Sequence, residues 1–214
     1  AIEPGFAEAW GHLGAALIWE SVLGLSPPET ALENCRSACL KTLEADDSFY
    51  LGHVCIGWFH WFTRDFEEAC RAFEIALRLN PSDPYSLHGN ADCMLLDGRI
   101  DENLELARRM QMVDPFSSAS NRHYSFHLAF SGRYDEAIAE SLRQQERFPE
   151  FSMHGFRAMI YWAQGLREKA IDEIRLEFEH QADEILLAAL EEGLAANGPT
   201  GAWQAIGEAM VVRV

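Results

Sequence analysis

Pro81, Pro115 and Pro149 lie 34 residues apart twice over, and each closes an amphipathic stretch that begins behind a turn. A fixed period of this length marks stacked helix-turn-helix units, in which each pair of helices can bury its apolar face only against the next pair. The period constrains the fold before any single side chain is interpreted. Arrays of this kind are scaffolds for binding, so function has to be sought on their concave face.

The repeat can be followed position by position. Ala69, Phe73 and Ala76 take the small, aromatic and small places of a second helix that nests against a neighbour. The turns Gly98-Arg-Ile-Asp-Glu-Asn103, Gly132-Arg-Tyr-Asp-Glu-Ala137 and Gly165-Leu-Arg-Glu-Lys-Ala170 follow in phase. Glycine supplies the permissive backbone between antiparallel helices, and alanine lets two helices approach closely. One unit earlier Cys35, Cys39 and Thr42 occupy the packing places, and Asp47 stands where the proline would be. Gly14, Gly57, Ala91 and Ser125 share one register on the first helices, with nine extra residues between the first two. The excess falls in the stretch Ser21 to Glu29, where Ser26 and Glu29 have capping-box spacing and Pro27 suits a first helical position, so a helix is expected to restart there. The fifth unit runs one residue short, which leaves its register open by one.

The motif Trp10-x-x-Leu13-Gly14-x-x-Leu17, together with Ala-x-x-x-Phe-x-x-Ala-x-x-x-x-Pro over 69–81, resembles the tetratricopeptide repeat. The resemblance covers roughly residues 7–180. It implies an all-α, right-handed α-solenoid of tetratricopeptide-like helix-turn-helix repeats over residues 1–180, with a C-terminal capping helix pair over 181–214. Ile2-Glu3-Pro4 reads as the last turn of a truncated earlier repeat, so the chain is expected to be a segment of a longer protein. The lines Asp114-Pro-Phe-Ser-Ser118, Gly132-Arg-Tyr-Asp-Glu-Ala-Ile-Ala-Glu140 and Glu192-Gly-Leu-Ala-Ala-Asn-Gly198 resemble the sensory or interaction part of bacterial signalling proteins, notably class III adenylate or guanylate cyclases and winged-helix regulators. No cyclase catalytic segment accompanies them.

Past Glu179 the repeat pattern ends. Ala182 to Leu194 has a helical pattern, Asn197-Gly-Pro199 breaks it, and Thr200 to Val212 forms a last helix. Leu186, Leu187, Leu190, Trp203, Ile206 and Met210 supply the apolar faces with which a cap covers the final unit. A dimerisation element is the alternative use of the same faces.

The 34 acidic against 17 basic residues, a formal charge of −17, exclude nucleic acid as the partner of this segment, since phosphate binding needs positive potential. No apolar run reaches the roughly 20 residues that span a bilayer, so no membrane partner is expected either. The five cysteines, at 35, 39, 55, 70 and 93, have neither CxxC spacing nor an even count and read as small core residues of a reducing, cytoplasmic compartment. Cys35 and Cys39 lie on one helix face, yet both hold packing places, which favours the core over a redox or zinc role. His123 and His127 lie one turn apart without a third ligand nearby in sequence and read as structural. No nucleophile elbow, phosphate loop or HExxH is present, so no enzyme activity, cofactor or metal is expected.

In tetratricopeptide arrays the concave face is lined by the second, fifth, ninth, twelfth and thirteenth places of each first helix. Carried onto this chain, those places are Leu51, Val54, Trp58, Trp61 and Phe62; then Tyr85, His88, Asp92, Leu95 and Leu96; then Ala119, Arg122, Phe126, Ala129 and Phe130; then Met153, Phe156, Ile160 and Gln164. The groove so drawn is aromatic and aliphatic, with His88, Asp92 and Arg122 as a sparse polar set. It suits a protein or peptide with apolar anchors, or a second copy of the chain in a homodimerisation scaffold that joins attached domains. The members that clamp a chaperone's C-terminal carboxylate carry Lys and Asn at the fifth and ninth places, and these pairs here read Gly11/Ala15, Val54/Trp58, His88/Asp92, Arg122/Phe126 and Phe156/Ile160. One arginine is no clamp. Trp58, Trp61 and Phe62 also stand open to a second use, as core, and Asp92 with Arg122 as a bridge between adjacent first helices.

Overall fold

The structure, a computed structural model, describes residues 5–22 and 27–211. These form eleven helices and no strand: α1 Ala7–Val22, α2 Pro28–Ala45, α3 Tyr50–Phe62, α4 Phe66–Leu79, α5 Pro84–Leu96, α6 Ile100–Val113, α7 Ser118–Phe130, α8 Tyr134–Arg147, α9 His154–Ala163, α10 Arg167–His180 and α11 Glu184–Val211. The Ile2-Glu3-Pro4 turn, Ser26 of the expected capping box and Val212 of the expected last helix lie outside the described residues. Pro27 precedes α2 rather than opening it, a shift of one residue from the capping-box reading.

The 34-residue period reappears in the element starts: α3, α5 and α7 begin at Tyr50, Pro84 and Ser118, and α4, α6 and α8 at Phe66, Ile100 and Tyr134. The turns within each hairpin explain this regularity. Gly98, Gly132 and Gly165 take φ of 71°, 75° and 77°, the left-handed conformation that ends a helix. The amides that follow each glycine reach back five residues, Arg99 N–H to Met94 O, Arg133 N–H to Leu128 O and Leu166 N–H to Tyr161 O, so the last turn is closed the same way each time. Arg64 occupies the equivalent place with φ of 65°, and Ala182, in the turn between α10 and α11, takes φ of 52°, although neither is glycine. The opposite turn is fixed by caps such as Asp83, whose carboxylate accepts from Ser86 N–H and Ser86 Oγ, both at 2.7 Å.

Contacts divide the chain into two compact units, up to Tyr124 and from Ser125. In the first, α1, α3 and α5 lie beside one another, each packed on its own second helix. Phe73 is the knot of this unit: fully buried, it faces Gly57 and Gly89, where an added Cβ would stand 2.7 Å and 2.5 Å from the ring. One unit earlier the ring is replaced by sulfur. Cys39 takes the place of Phe73, Cys55 that of Gly89, and Cys35 that of Ala69, with Gly14 facing Cys55.

The cysteines correct the reading of five reduced core thiols. Cys39 of α2 is bonded to Cys55 of α3, and Cys70 of α4 to Cys93 of α5, leaving Cys35 as the free thiol. Each bridge joins the second helix of one hairpin to the first helix of the next. The closed loops of 16 and 23 residues correspond to about 3 kcal/mol each, taken from the unfolded chain.

In the second unit Ile171, Ile174 and Phe178 of α10 form a core with Leu186, Leu190, Ala202 and Ile206 of α11, and with Ala158 of α9. α11 is two helices in succession, broken at Asn197 and Gly198. Leu187 and Trp203 pack on this core from its edge, and Met210 is half exposed. A buried polar knot ties three helices together: Arg157 donates to Glu173 of α10 and Gln145 of α8, both at 2.9 Å, and His154 Nδ1 is 2.7 Å from the other Glu173 oxygen. A buried guanidinium is tolerable because its charge is met this way.

Candidate binding site

On α3 the places 51, 54, 58 and 62 recur every three to four residues and share one face. Leu51, Val54, Cys55, Trp58 and Phe62 of that face meet Ala15 and Ile18 of α1 and Tyr85 and His88 of α5 around a cavity of about 130 Å³. Its wall is almost wholly apolar. Phe62 and Tyr85 stand at the edge, 42% and 48% exposed, while Leu51, Val54 and Cys55 form a buried floor.

Trp58 organises the wall. Its ring lies 4.9 Å from Phe73, 4.9 Å from His88 and 6.1 Å from Phe62, so it touches the core on one side and the lining on the other. Such ring pairs add about 0.5–1.5 kcal/mol beyond burial and hold the wall in one shape. The indole N–H has no hydrogen-bond partner among the described residues.

A polar edge adjoins the cavity. His88 Nε2 is 3.4 Å from Asp92 Oδ2 one turn further along α5, and the His88 ring lies 3.7 Å from that of His123. Burial pushes the Asp92 carboxyl up to about 7. Burial, helped by the charge of Arg122, pushes the His123 imidazole down to about 4. At neutral pH His123 is therefore an uncharged ring, and Asp92 is poised between its two forms.

The structure thus brings Trp58, Phe62, Tyr85 and His88 together at one cavity, with Asp92 one turn behind. Trp61 lies elsewhere: it packs edge-on to Phe66 at 5.1 Å and against the Ala69, Phe73 and Cys93 cluster. Arg122 is exposed. In the second unit Phe156 and Ile160 are interior, Phe126 sits edge-on to Phe156 at 4.6 Å, and Phe130, 66% exposed, stacks on Phe126. The sequence set omits Ile18, although the same ninth and twelfth places on α1 give Ala15 and Ile18. Cys55 carried no signal, because it belongs to none of the groove places.

Neither a protein-family model nor a curated protein matches the chain. Solved structures do. The chain is similar to YrrB, a TPR protein with an unusual peptide-binding site, at 20% identity over 82% of this chain and 90% of that one, TM-score 0.56. It is similar to TTC0263, a thermophilic TPR protein of Thermus thermophilus, at 10% identity over 82% and 95%, TM-score 0.64. A third is a tetratricopeptide repeat protein from Parabacteroides merdae, at 13% identity over 92% and 78%, TM-score 0.66. The chain has the tetratricopeptide-repeat fold, an all-α solenoid of helix hairpins. Among the described residues no helix is long and apolar enough to cross a membrane.

Proposed function

We propose that this chain is a noncatalytic module that binds a protein or peptide through the aromatic face of α1, α3 and α5. The cavity lined by Trp58, Phe62, Tyr85 and His88 carries the reading: it is preformed, apolar and edged by two half-exposed rings, the form that accepts one large anchor side chain. The helices that hold the rings are already ordered, so ordering costs fall mainly on the partner. A charge of −17 favours a partner segment with basic residues around its anchor. Besides His88, Tyr85 and the disulfide-bonded Cys55 the lining is aliphatic and aromatic, which supports binding over chemistry.

In the same reading residues 1–180 form the array and 181–214 its cap, with Leu186, Leu190 and Ile206 as the covering face. We place the module in a bacterial signalling or regulatory protein of the cyclase or winged-helix kind, in the cytoplasm. Two disulfides weigh against that compartment, where small thiols would have to keep them open for the placement to hold. Self-association is the second reading, favoured by the exposure of Phe130. Selection of displayed peptides on the purified chain tests the first. Peptides sharing one apolar anchor, with affinity at least tenfold weaker for Phe62→Ala and Tyr85→Ala at unchanged helicity, are expected. Selection that ignores both substitutions sinks the assignment.

A further inference from the structure

Cys55 of the cavity floor belongs to a cluster of three sulfurs, and two of them suffice for the bridge. Cys35 Sγ lies 3.6 Å from Cys39 Sγ and 4.0 Å from Cys55 Sγ, all three buried. Two roles for the extra thiol fail. As an exchanging nucleophile it would have to lie on the axis of the bond it attacks, nearer one sulfur than the other by about a bond length, ~2 Å. Its two separations differ far less than that. As filler it is unneeded, because alanine takes the same place one unit later, at Ala69.

A triangle of sulfurs is instead what a thiophilic cation requires. Metal–sulfur bonds of ~2.3 Å set sulfur–sulfur edges of ~4 Å around a three-coordinate ion. Cys35 already stands at that spacing from both partners, and opening the bridge gives Cys39 and Cys55 the third edge. We propose that, once the Cys39–Cys55 bond is reduced, Cys35, Cys39 and Cys55 form a buried three-sulfur site for Cu(I).

The choice of ion follows from the donor set. Soft thiolates select Cu(I) and Zn(II), but structural Zn(II) takes four ligands, and no further His, Cys, Asp or Glu joins this group among the described residues. Ile18, Leu17, Ile56, Trp58 and Phe59 pack against it, an apolar shell suited to a low-coordinate soft ion. Gly14 leaves the room: a Cβ there would lie 2.2 Å from Cys55 Sγ. Cys55 lines the open cavity, which provides the way in. The chemistry balances simply. A small thiol reductant supplies two electrons and two protons to the bridge and leaves as its own disulfide. Cu(I) then displaces the thiol protons as sulfur–copper bonds form, keeping its oxidation state.

The proposal does not rest on the binding reading, and it is tested with the groove empty because Cys55 is common to the cavity and the sulfur site. The test is anaerobic titration of the reduced chain with Cu(I) against a chromophoric Cu(I) chelator, in a Cys70→Ala/Cys93→Ala background that removes the other sulfur pair. One Cu(I) per chain with three sulfurs in its X-ray absorption spectrum is expected, with at least 100-fold weaker binding for Cys35→Ala. That variant is expected to remain helical by circular dichroism, since Ala69 fills the equivalent place. If the background variant does not fold, the sulfur count is taken on the full chain with and without Cys35→Ala, and a drop from three to two at one copper is the expected result. Equal affinity with and without Cys35, two-sulfur coordination in both, or Zn(II) displacing the copper overturns the proposal.

Discussion

Asp92 and His123 pull the stability of the first unit in opposite directions with pH. The Asp92 carboxyl is raised from 3.8 to about 7 by burial, so the folded chain keeps a proton there that the unfolded chain has lost. Stability from this residue falls as pH rises through that window and is lowest above 7. His123 is lowered from 6.5 to about 4, so the unfolded chain takes up a proton the folded one refuses, and stability is lost as pH falls from 6.5 to 4. Between pH 4 and 6.5 the two slopes offset. Asp92→Asn is therefore expected to be more stable than the parent at pH 8, by at most about 4 kcal/mol, with no gain below pH 4. Urea titrations at both pH values check it; a loss at pH 8 would show that the charged carboxylate is stabilised where it lies.

Arg64 makes a separate case at the same scale. It holds the left-handed turn that Gly98 and Gly132 hold in later units, at a cost of about 1–2 kcal/mol for a residue with a Cβ. Arg64→Gly is expected to raise stability by about 1 kcal/mol, read as a higher denaturation midpoint with an unchanged slope. The glycines at this turn were legible because their spacing follows the repeat. Arg64 was not, since an arginine gives no sign of a positive φ; only its distance of 34 from Gly98 places it in the turn.

Among the elements, the joint between hairpins is where packing varies most. Phe73 against Gly89 is one solution, a ring filling the space of an absent side chain. The same two places one unit later read Ala107 and His123, and one unit after that Ser141 and Arg157, with the bulk moved to the other helix. At the first joint Cys39 and Cys55 divide the volume. The register of Ala69, Phe73 and Ala76 was readable because small and aromatic residues recur in phase. The pairing of Cys39 with Cys55 and of Cys70 with Cys93 was not, since partners are set by which helices stack: Cys39 and Cys55 hold the places of Phe73 and Gly89, a contact that only the structure shows. Replacing Cys70 and Cys93 together by serine is expected to cost about 3 kcal/mol in thermal or urea unfolding against the oxidised parent, and adding reductant to both should remove most of that difference, because the parent's own bridge is then open. A variant as stable as the oxidised parent would mean the bridge does not constrain the unfolded chain.

For the whole molecule, the period of 34 residues was enough to give an all-α repeat fold, because hairpins of equal length admit few other ways of burying an apolar face. The binding face was legible only in part. Places on one helix could be numbered, yet a run such as Trp58-Phe-His-Trp-Phe62 covers every face, and sequence alone does not say that Trp58 reaches the cavity while Trp61 turns to Phe66. The second unit divides similarly, with Phe156 interior and Phe130 exposed.

The central claim is that the cavity of α1, α3 and α5 receives the partner. Its most direct test is the set of tryptophan indole N–H resonances, assigned by substitution, followed while a selected peptide is added. The account predicts that the Trp58 signal shifts in proportion to occupancy while those of Trp162 and Trp203, in the second unit, stay in place. A silent Trp58 with shifts at Trp162 or Trp203 would contradict it and move the binding site out of the first unit.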